Sequence, residues 1–184
     1  MKRAILVLTV AIAAALAAPL AAQGETRDDD GLRVRLELPV TFSSPTAECP
    51  EGMAEYVIFA KRRTGIGTNC IRAVIPAACP TSAVDALFCQ EVSVLTTLRL
   101  RGGTIEADVS IFEIWTCGDP MCLTLSVDQQ WLGSVTRATG RFDDLEEGSI
   151  SGGGTAVFDA TTFQVLSIDQ VLVISEEDEE EEDD

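Results

Sequence analysis

The chain has 184 residues, with 13 Lys and Arg against 30 Asp and Glu, a formal net charge of −17, and no histidine. The missing imidazole excludes Ser-His-Asp and Cys-His catalysis, HExxH zinc chemistry and histidine general base catalysis. The acidic balance argues against nucleic acid as a partner, because phosphate binding needs a basic face.

Lys2 and Arg3 open the chain, and an apolar run over residues 4–18, broken only by Thr9, follows them. Pro19 ends any helix, and the small residues Ala21 and Ala22 precede Gln23. The pattern predicts a signal peptide over residues 1–22, cleaved after Ala22, with Ala17 as the fallback. An uncleaved anchor is the rival reading, since the apolar stretch approaches the roughly 20 residues of a spanning helix. Pro19 and the lack of a basic flank beyond the run favour cleavage and no membrane association afterwards. No cysteine follows the run and no Arg-Arg pair precedes it, which favours the general secretory route over a lipoprotein or twin-arginine one. The expected location is secreted or periplasmic. Residues 23–31 read as a polar linker.

From Leu32 onward the chain alternates. Leu32, Val34, Leu36, Leu38, Val40 and Phe42 interleave with Arg33, Arg35, Glu37, Pro39 and Thr41. This period of two describes a strand with one buried face, and Pro39 marks an edge or a bulge. Further strands are expected over 54–62, 67–75, 91–101, 104–115, 123–131, 134–139, 149–159 and 163–174, while 83–89 fits a strand or a helical turn. No stretch keeps a 3.6-residue period over a dozen residues. Turn signals such as Gly102-Gly103, Gly118-Asp119-Pro120 and Gly152-Gly153-Gly154 punctuate the run. Eight to ten antiparallel strands so punctuated form a barrel or a sandwich.

Six cysteines, Cys49, Cys70, Cys79, Cys89, Cys117 and Cys122, lie beyond the signal. An even count behind an export signal predicts disulfides, with fifteen connectivities available. Zinc is the rival, but Cys117 and Cys122 have no second close pair to complete a four-ligand site. Asp119-Pro120 is a turn core, so Cys117 and Cys122 are expected to bridge across a hairpin tip. Symmetry about a turn at Arg63-Thr64-Gly65 suggests Cys49 with Cys79, and symmetry about Pro80-Thr81 suggests Cys70 with Cys89.

Residues 176–184 are nine consecutive carboxylates. They cannot bury apolar surface and are expected to form a disordered, solvating tail, with at most weak, non-specific cation binding. With those nine charges and the two cations of the first residues set aside, residues 23–175 still carry −10. One domain over 32–175 is the expected organisation.

The order Leu100-Arg101-Gly102-Gly103-Thr104-Ile105, then Gly133, then Ala138-Thr139-Gly140-Arg141-Phe142 and Gly148-Ser149-Ile150-Ser151-Gly152 resembles the C-terminal half of the dirigent and allene-oxide-cyclase barrel superfamily and its secreted bacterial relatives. The resemblance spans residues 98–175, under half of the chain. The chain departs from the pattern at Ala138, where a glycine is common, and in its six cysteines. The resemblance implies a single all-β antiparallel barrel of about eight strands, here stapled by disulfides. Relatives with known activities use Asp, Glu, Arg or Tyr inside the barrel, but none of these positions carries over residue by residue. On physical grounds Gly140 and Gly148 permit a positive φ or a bulge between strands, and Phe142 can plug a barrel end.

Several candidates for chemistry have simpler readings. Glu106 and Asp108 alternate with Ile105, Ala107 and Val109, so they belong to a solvated strand face rather than a glycosidase pair. Asp143, Asp144, Glu146 and Glu147 offer oxygens to calcium, but read first as a solvated turn. Lys61 would have to serve any Ser-Lys dyad, yet it sits with Arg62 and Arg63 at a basic turn. Trp115, Trp131, Phe112 and Tyr56 could line an interior cavity or fill a core. No catalytic residue, metal site or cofactor motif is legible. Two functions remain: a non-catalytic binding or structural barrel for a small apolar ligand or a protein, and a cyclase- or isomerase-like enzyme working in the barrel interior. They differ in the interior, which is packed apolar for a structural barrel and open with converging polar groups for an enzyme.

Overall fold

Strands that hide alternate side chains must turn their apolar faces toward one another. The structure, a computed structural model, describes residues 31–176. The expected signal peptide, nearly all of the linker and the acidic tail beyond Glu176 lie outside the described residues. Eight strands follow in chain order: β1 (Leu32–Ser43), β2 (Met53–Ala60), β3 (Arg63–Ala77), β4 (Phe88–Leu100), β5 (Gly103–Cys117), β6 (Thr124–Ala138), β7 (Ser149–Asp159) and β8 (Val165–Ser175). Each pairs antiparallel with its neighbour in sequence, and β8 closes on β1. The all-β expectation thus takes the form of a closed up-and-down barrel, which has no exposed strand edge.

The interior is built in two parts. The half nearer Leu32 and Ser175 is packed by aliphatic side chains, among them Val34, Ile58, Leu98, Ile105, Ile150, Leu172 and Ile174, all fully buried. A short 3-10 helix, Gly140–Leu145, closes this end and buries Phe142 and Leu145 against the core. Gly140 starts it with φ of +71°, and a side chain there would strike the carbonyl of Gly102. Phe142 is therefore the plug that its position between two strands suggested. The opposite end, ringed by the β1–β2, β3–β4, β5–β6 and β7–β8 loops, has no such plug among the described residues.

Several expectations about the elements need correction. Leu38 does not join the buried face of β1 and is 43% exposed. The β1–β2 register jumps between Glu37 and Val40, so Leu38 and Pro39 bulge out together, and the inward parity resumes at Val40. The bulge accommodates a proline that cannot donate to a ladder. Residues 123–131 and 134–139 are one strand, β6, since Gly133 sits inside the ladder opposite Val109. Residues 83–87 form a turn region, and β4 starts only at Phe88.

The cysteine pairing also differs. Cys117 bridges Cys122 across the β5–β6 tip, as the turn chemistry indicated, but the other bridges are Cys49–Cys70 and Cys79–Cys89. The symmetry argument failed because the β2–β3 turn lies at Lys61-Arg62, with Arg63, Thr64 and Gly65 already in β3. Cys70 sits opposite Met53, so it faces the end of the β1–β2 loop that carries Cys49. That loop is tied to β3 by hydrogen bonds between Glu51 and Ile71 and between Ile71 and Gly52. Cys89 pairs with Ala77 in the β3–β4 ladder, leaving Cys79 two residues away to fold back upon it. All three bridges lie toward the unplugged end.

Candidate functional site

Three consecutive glycines in β7 create the site. Gly152 and Gly154 share the inward parity of buried Ile150 and Ala156, and they face Trp131 and Gln129 across the β6–β7 ladder. Gly154 holds φ of +141°, which disfavours any side chain. The interior therefore lacks side chains from β7 where β6 delivers an indole and an amide. The space that remains is a cavity of ≈ 100 Å³ reaching the unplugged end, where Phe42, itself 55% exposed, forms part of its wall. An engineered apolar cavity of roughly 150 Å³ accepts benzene, so this smaller space holds only part of such a molecule and the rest must lie in the mouth.

Apolar walls come from Leu36, Val40, Ile71, Val92, Val94, Ile111 and Ile168. The polar groups come from five strands: Tyr56 on β2, Asn69 on β3, Glu113 on β5, Gln129 and Trp131 on β6, and Gln170 on β8. They form two networks. Tyr56 and Thr96 each donate a hydroxyl hydrogen bond of 2.9 Å to Asn69 Oδ1. Space for the Tyr56 ring exists because residue 67 is glycine; a Cβ there would collide with Tyr56 Cε2. Burial pushes the Tyr56 phenol far above its ordinary pKa, so it stays protonated.

The second network centres on Glu113, which is buried at 7% exposure. Its Oε2 accepts from Gln90 Nε2 at 2.7 Å and from Trp115 Nε1 at 2.9 Å, and its Oε1 accepts from Gln129 Nε2. Gln129 Oε1 in turn accepts from Gln170 Nε2. Gln90 and Gln129 flank Glu113 directly on the neighbouring strands, so the sheet register itself assembles the cluster. One polar atom is left over. Trp131 Nε1 is buried and has no hydrogen-bond partner among the described residues, an arrangement costing about 1–3 kcal/mol unless an acceptor meets it.

Around the mouth Phe88, Trp115, Phe158 and Phe42 form a continuous aromatic row, with successive ring centroids 5.4, 5.3 and 6.5 Å apart. Its loops carry Glu48, Glu51, Asp85 and Asp119 and contain no Lys or Arg, and Asp159 ends β7 beside them. Asp119 is held below the usual carboxylate range chiefly by the Thr124 hydroxyl, helped by the amides of Thr124 and Met121. Asp159 is lowered first by the Thr162 amide, then by its hydroxyl and the Thr161 amide. These two carboxylates brace the β5–β6 and β7–β8 loops.

Of the residues singled out from sequence, the cavity brings together Tyr56 and Trp131, and Trp115 stands at its mouth. Phe112 does not join them, because it alternates onto the outer face between Ile111 and Glu113. Glu106 and Asp108 point outward: Glu106 lines a surface groove with Arg99 and Arg137, and Asp108 pairs with Arg72 at 2.7 Å. Lys61 stands at a turn on the plugged end, remote from the cavity. Asp143 and its acidic neighbours lie in and just after the 3-10 helix, and among the described residues no cluster of three or more potential metal ligands forms. Sequence reading passed over Asn69, Glu113, Gln129 and Gln170. Glu113 had a signal, since it shares the parity of Ile105, Ala107, Val109 and Ile111 and so places a charge on an apolar face. Comparison of the chain with family models, curated proteins and solved structures found no match.

Proposed function

We propose that this chain is an exported, non-catalytic binding barrel that takes a small, mainly apolar molecule into its unplugged end. The observation that carries the reading is the cavity, where apolar walls converge on a short polar set held in place by its own hydrogen bonds. A purely structural barrel has no reason to replace interior aliphatic side chains with Asn69, Glu113, Gln129 and Gln170, whose burial is costly. The three bridges, the expected signal peptide and the acidic surface fit an oxidising compartment outside the cytoplasm.

The alternative, a cyclase- or isomerase-like enzyme of the kind suggested by the dirigent and allene-oxide-cyclase resemblance, has weaker support. Among the described residues Glu113 is the one carboxylate on the cavity, and three N–H donors occupy its oxygens. The other ionisable group, Tyr56, is kept neutral by burial and is a poor acid. Binding can be tested with toluene, followed through the indole signals of the two tryptophans. Toluene should perturb Trp131 in the native protein, and Ala156→Leu, which fills the cavity wall, should abolish the effect while the fold remains. An unchanged toluene response in the Ala156→Leu variant would refute binding at this cavity.

A further inference from the structure

Among the described residues Glu113 is the only charged one on the cavity wall, and the three hydrogen-bond partners found for it, Gln90, Trp115 and Gln129, are all neutral. A buried carboxylate without a counter-charge is expensive, because neutral donors recover only part of what water and a cation would supply. The mouth adds to the same sign, with four carboxylates and no Lys or Arg in its loops and Asp159 at the end of β7. The field along the entry path therefore attracts cations and repels anions.

The aromatic content points the same way. The chain has one tyrosine and two tryptophans, and the cavity is walled by that tyrosine, by Trp131 and by Phe42. Aromatic side chains on the same wall as a carboxylate suit an alkylated ammonium group, which needs no hydrogen bonds and so does not compete with the donors already on Glu113. Trp131 lines the cavity at 2% exposure, and its Nε1–H, unused among the described residues, is available to an acceptor on an occupant. Trp131 and Glu113 are diagonal neighbours across the β5–β6 ladder, since Trp131 pairs with Ile111 and Gln129 with Glu113. Diagonal side chains lie within about 7–8 Å, a span that a short two-carbon linker covers.

We propose that the natural ligand is a small organic cation, an alkylated ammonium carrying one uncharged oxygen acceptor. Its ammonium is neutralised by Glu113 on a wall shared with Tyr56, Trp131 and Phe42, and its oxygen accepts from Trp131 Nε1. The assignment rests on the binding reading above and narrows it to one ligand class.

Choline and its uncharged isostere 3,3-dimethylbutan-1-ol test it, with 3,3-dimethylbutanoate as the anionic counterpart. All three are titrated into the full mature chain, with the two indole N–H resonances as readout. Choline should bind about tenfold more tightly than the alcohol, and both should shift the Trp131 N–H through their hydroxyls. The carboxylate should not bind. In Glu113→Gln the preference for choline should disappear while the alcohol still binds. If that variant does not fold, the wild-type ratio of choline to alcohol decides alone. Equal or tighter binding of the alcohol, or any preference for the carboxylate, overturns the cation assignment and leaves the binding reading standing. If neither choline nor the alcohol binds, and toluene does not, the cavity reading itself fails and this assignment falls with it.

Discussion

At the scale of single residues, the interior holds groups that are polar by chemistry and buried by register. Tyr56 is the clearest. Its hydroxyl is tied to Asn69, its ring lies over Gly67, and burial strongly favours the protonated phenol. A phenol whose pKa rises on folding leaves stability unaffected below the ordinary value of about 10. Above that, the unfolded chain releases a proton that the folded chain keeps, so stability falls as pH climbs. Because Tyr56 is the only tyrosine, the tyrosinate absorbance band reports it alone. We expect that band to be absent near pH 10 and to rise together with loss of the near-ultraviolet circular dichroism signal. A smooth titration near pH 10 in protein that stays folded would show that the phenol is accessible.

At the scale of elements, turns and bridges set the stability of a barrel whose strands are otherwise fully paired. The β2–β3 hairpin turns through Lys61 and Arg62, both with left-handed backbone, φ of 44° and 62°. A two-residue turn of this hand prefers Asn-Gly, and side chains with a large Cβ substituent cost roughly 1–2 kcal/mol per residue there. Lys61→Asn combined with Arg62→Gly should raise the urea midpoint by about 1–2 kcal/mol of stability with an unchanged m-value. A lower midpoint would mean that the two basic side chains hold the turn through contacts of their own. The disulfides should rank by the chain they enclose: Cys49–Cys70 spans 21 residues, Cys79–Cys89 10 and Cys117–Cys122 5. Each contributes on the order of 2–4 kcal/mol, least for the shortest loop. Replacing each pair by alanine should lower Tm in that order. The last replacement should have the mildest effect, because the Gly118 amide and the Asp119 carboxylate already close the tip through Thr124.

At the scale of the whole molecule, charge is distributed along the barrel axis. The plugged end carries Lys61, Arg62, Arg63, Arg99, Arg101, Arg137 and Arg141 beside the carboxylates Asp143, Asp144, Glu146 and Glu147, whereas the mouth loops carry carboxylates and no Lys or Arg. Ser175 ends β8 at the plugged end, where the nine carboxylates of residues 176–184 continue the chain. These residues hold no apolar side chain and add to a body that is itself acidic. Deleting them should leave Tm unchanged or slightly higher at low salt, with the difference shrinking as ionic strength rises. A clear fall in Tm on deletion, larger at low salt, would instead show the tail seated on the basic turns.

The sequence alone determined the all-β class, the two faces of most strands, the Cys117–Cys122 bridge and the Phe142 plug. Each depends on local alternation or turn chemistry, and local steric rules act between residues near in sequence. The tertiary structure decided what depends on which strand lies beside which. Cys49 meets Cys70 only because the β1–β2 loop folds against β3, a contact with no counterpart in the spacing of the cysteines. Glu113, Gln129 and Gln170 become one network only because β5, β6, β7 and β8 stand side by side in a fixed register. The glycines 152–154 looked like turn punctuation; set between β6 and β8 they are the missing wall that leaves a cavity. Local propensity is additive along the chain, but a cavity is a property of several strands at once, so its residues emerge only when the barrel closes.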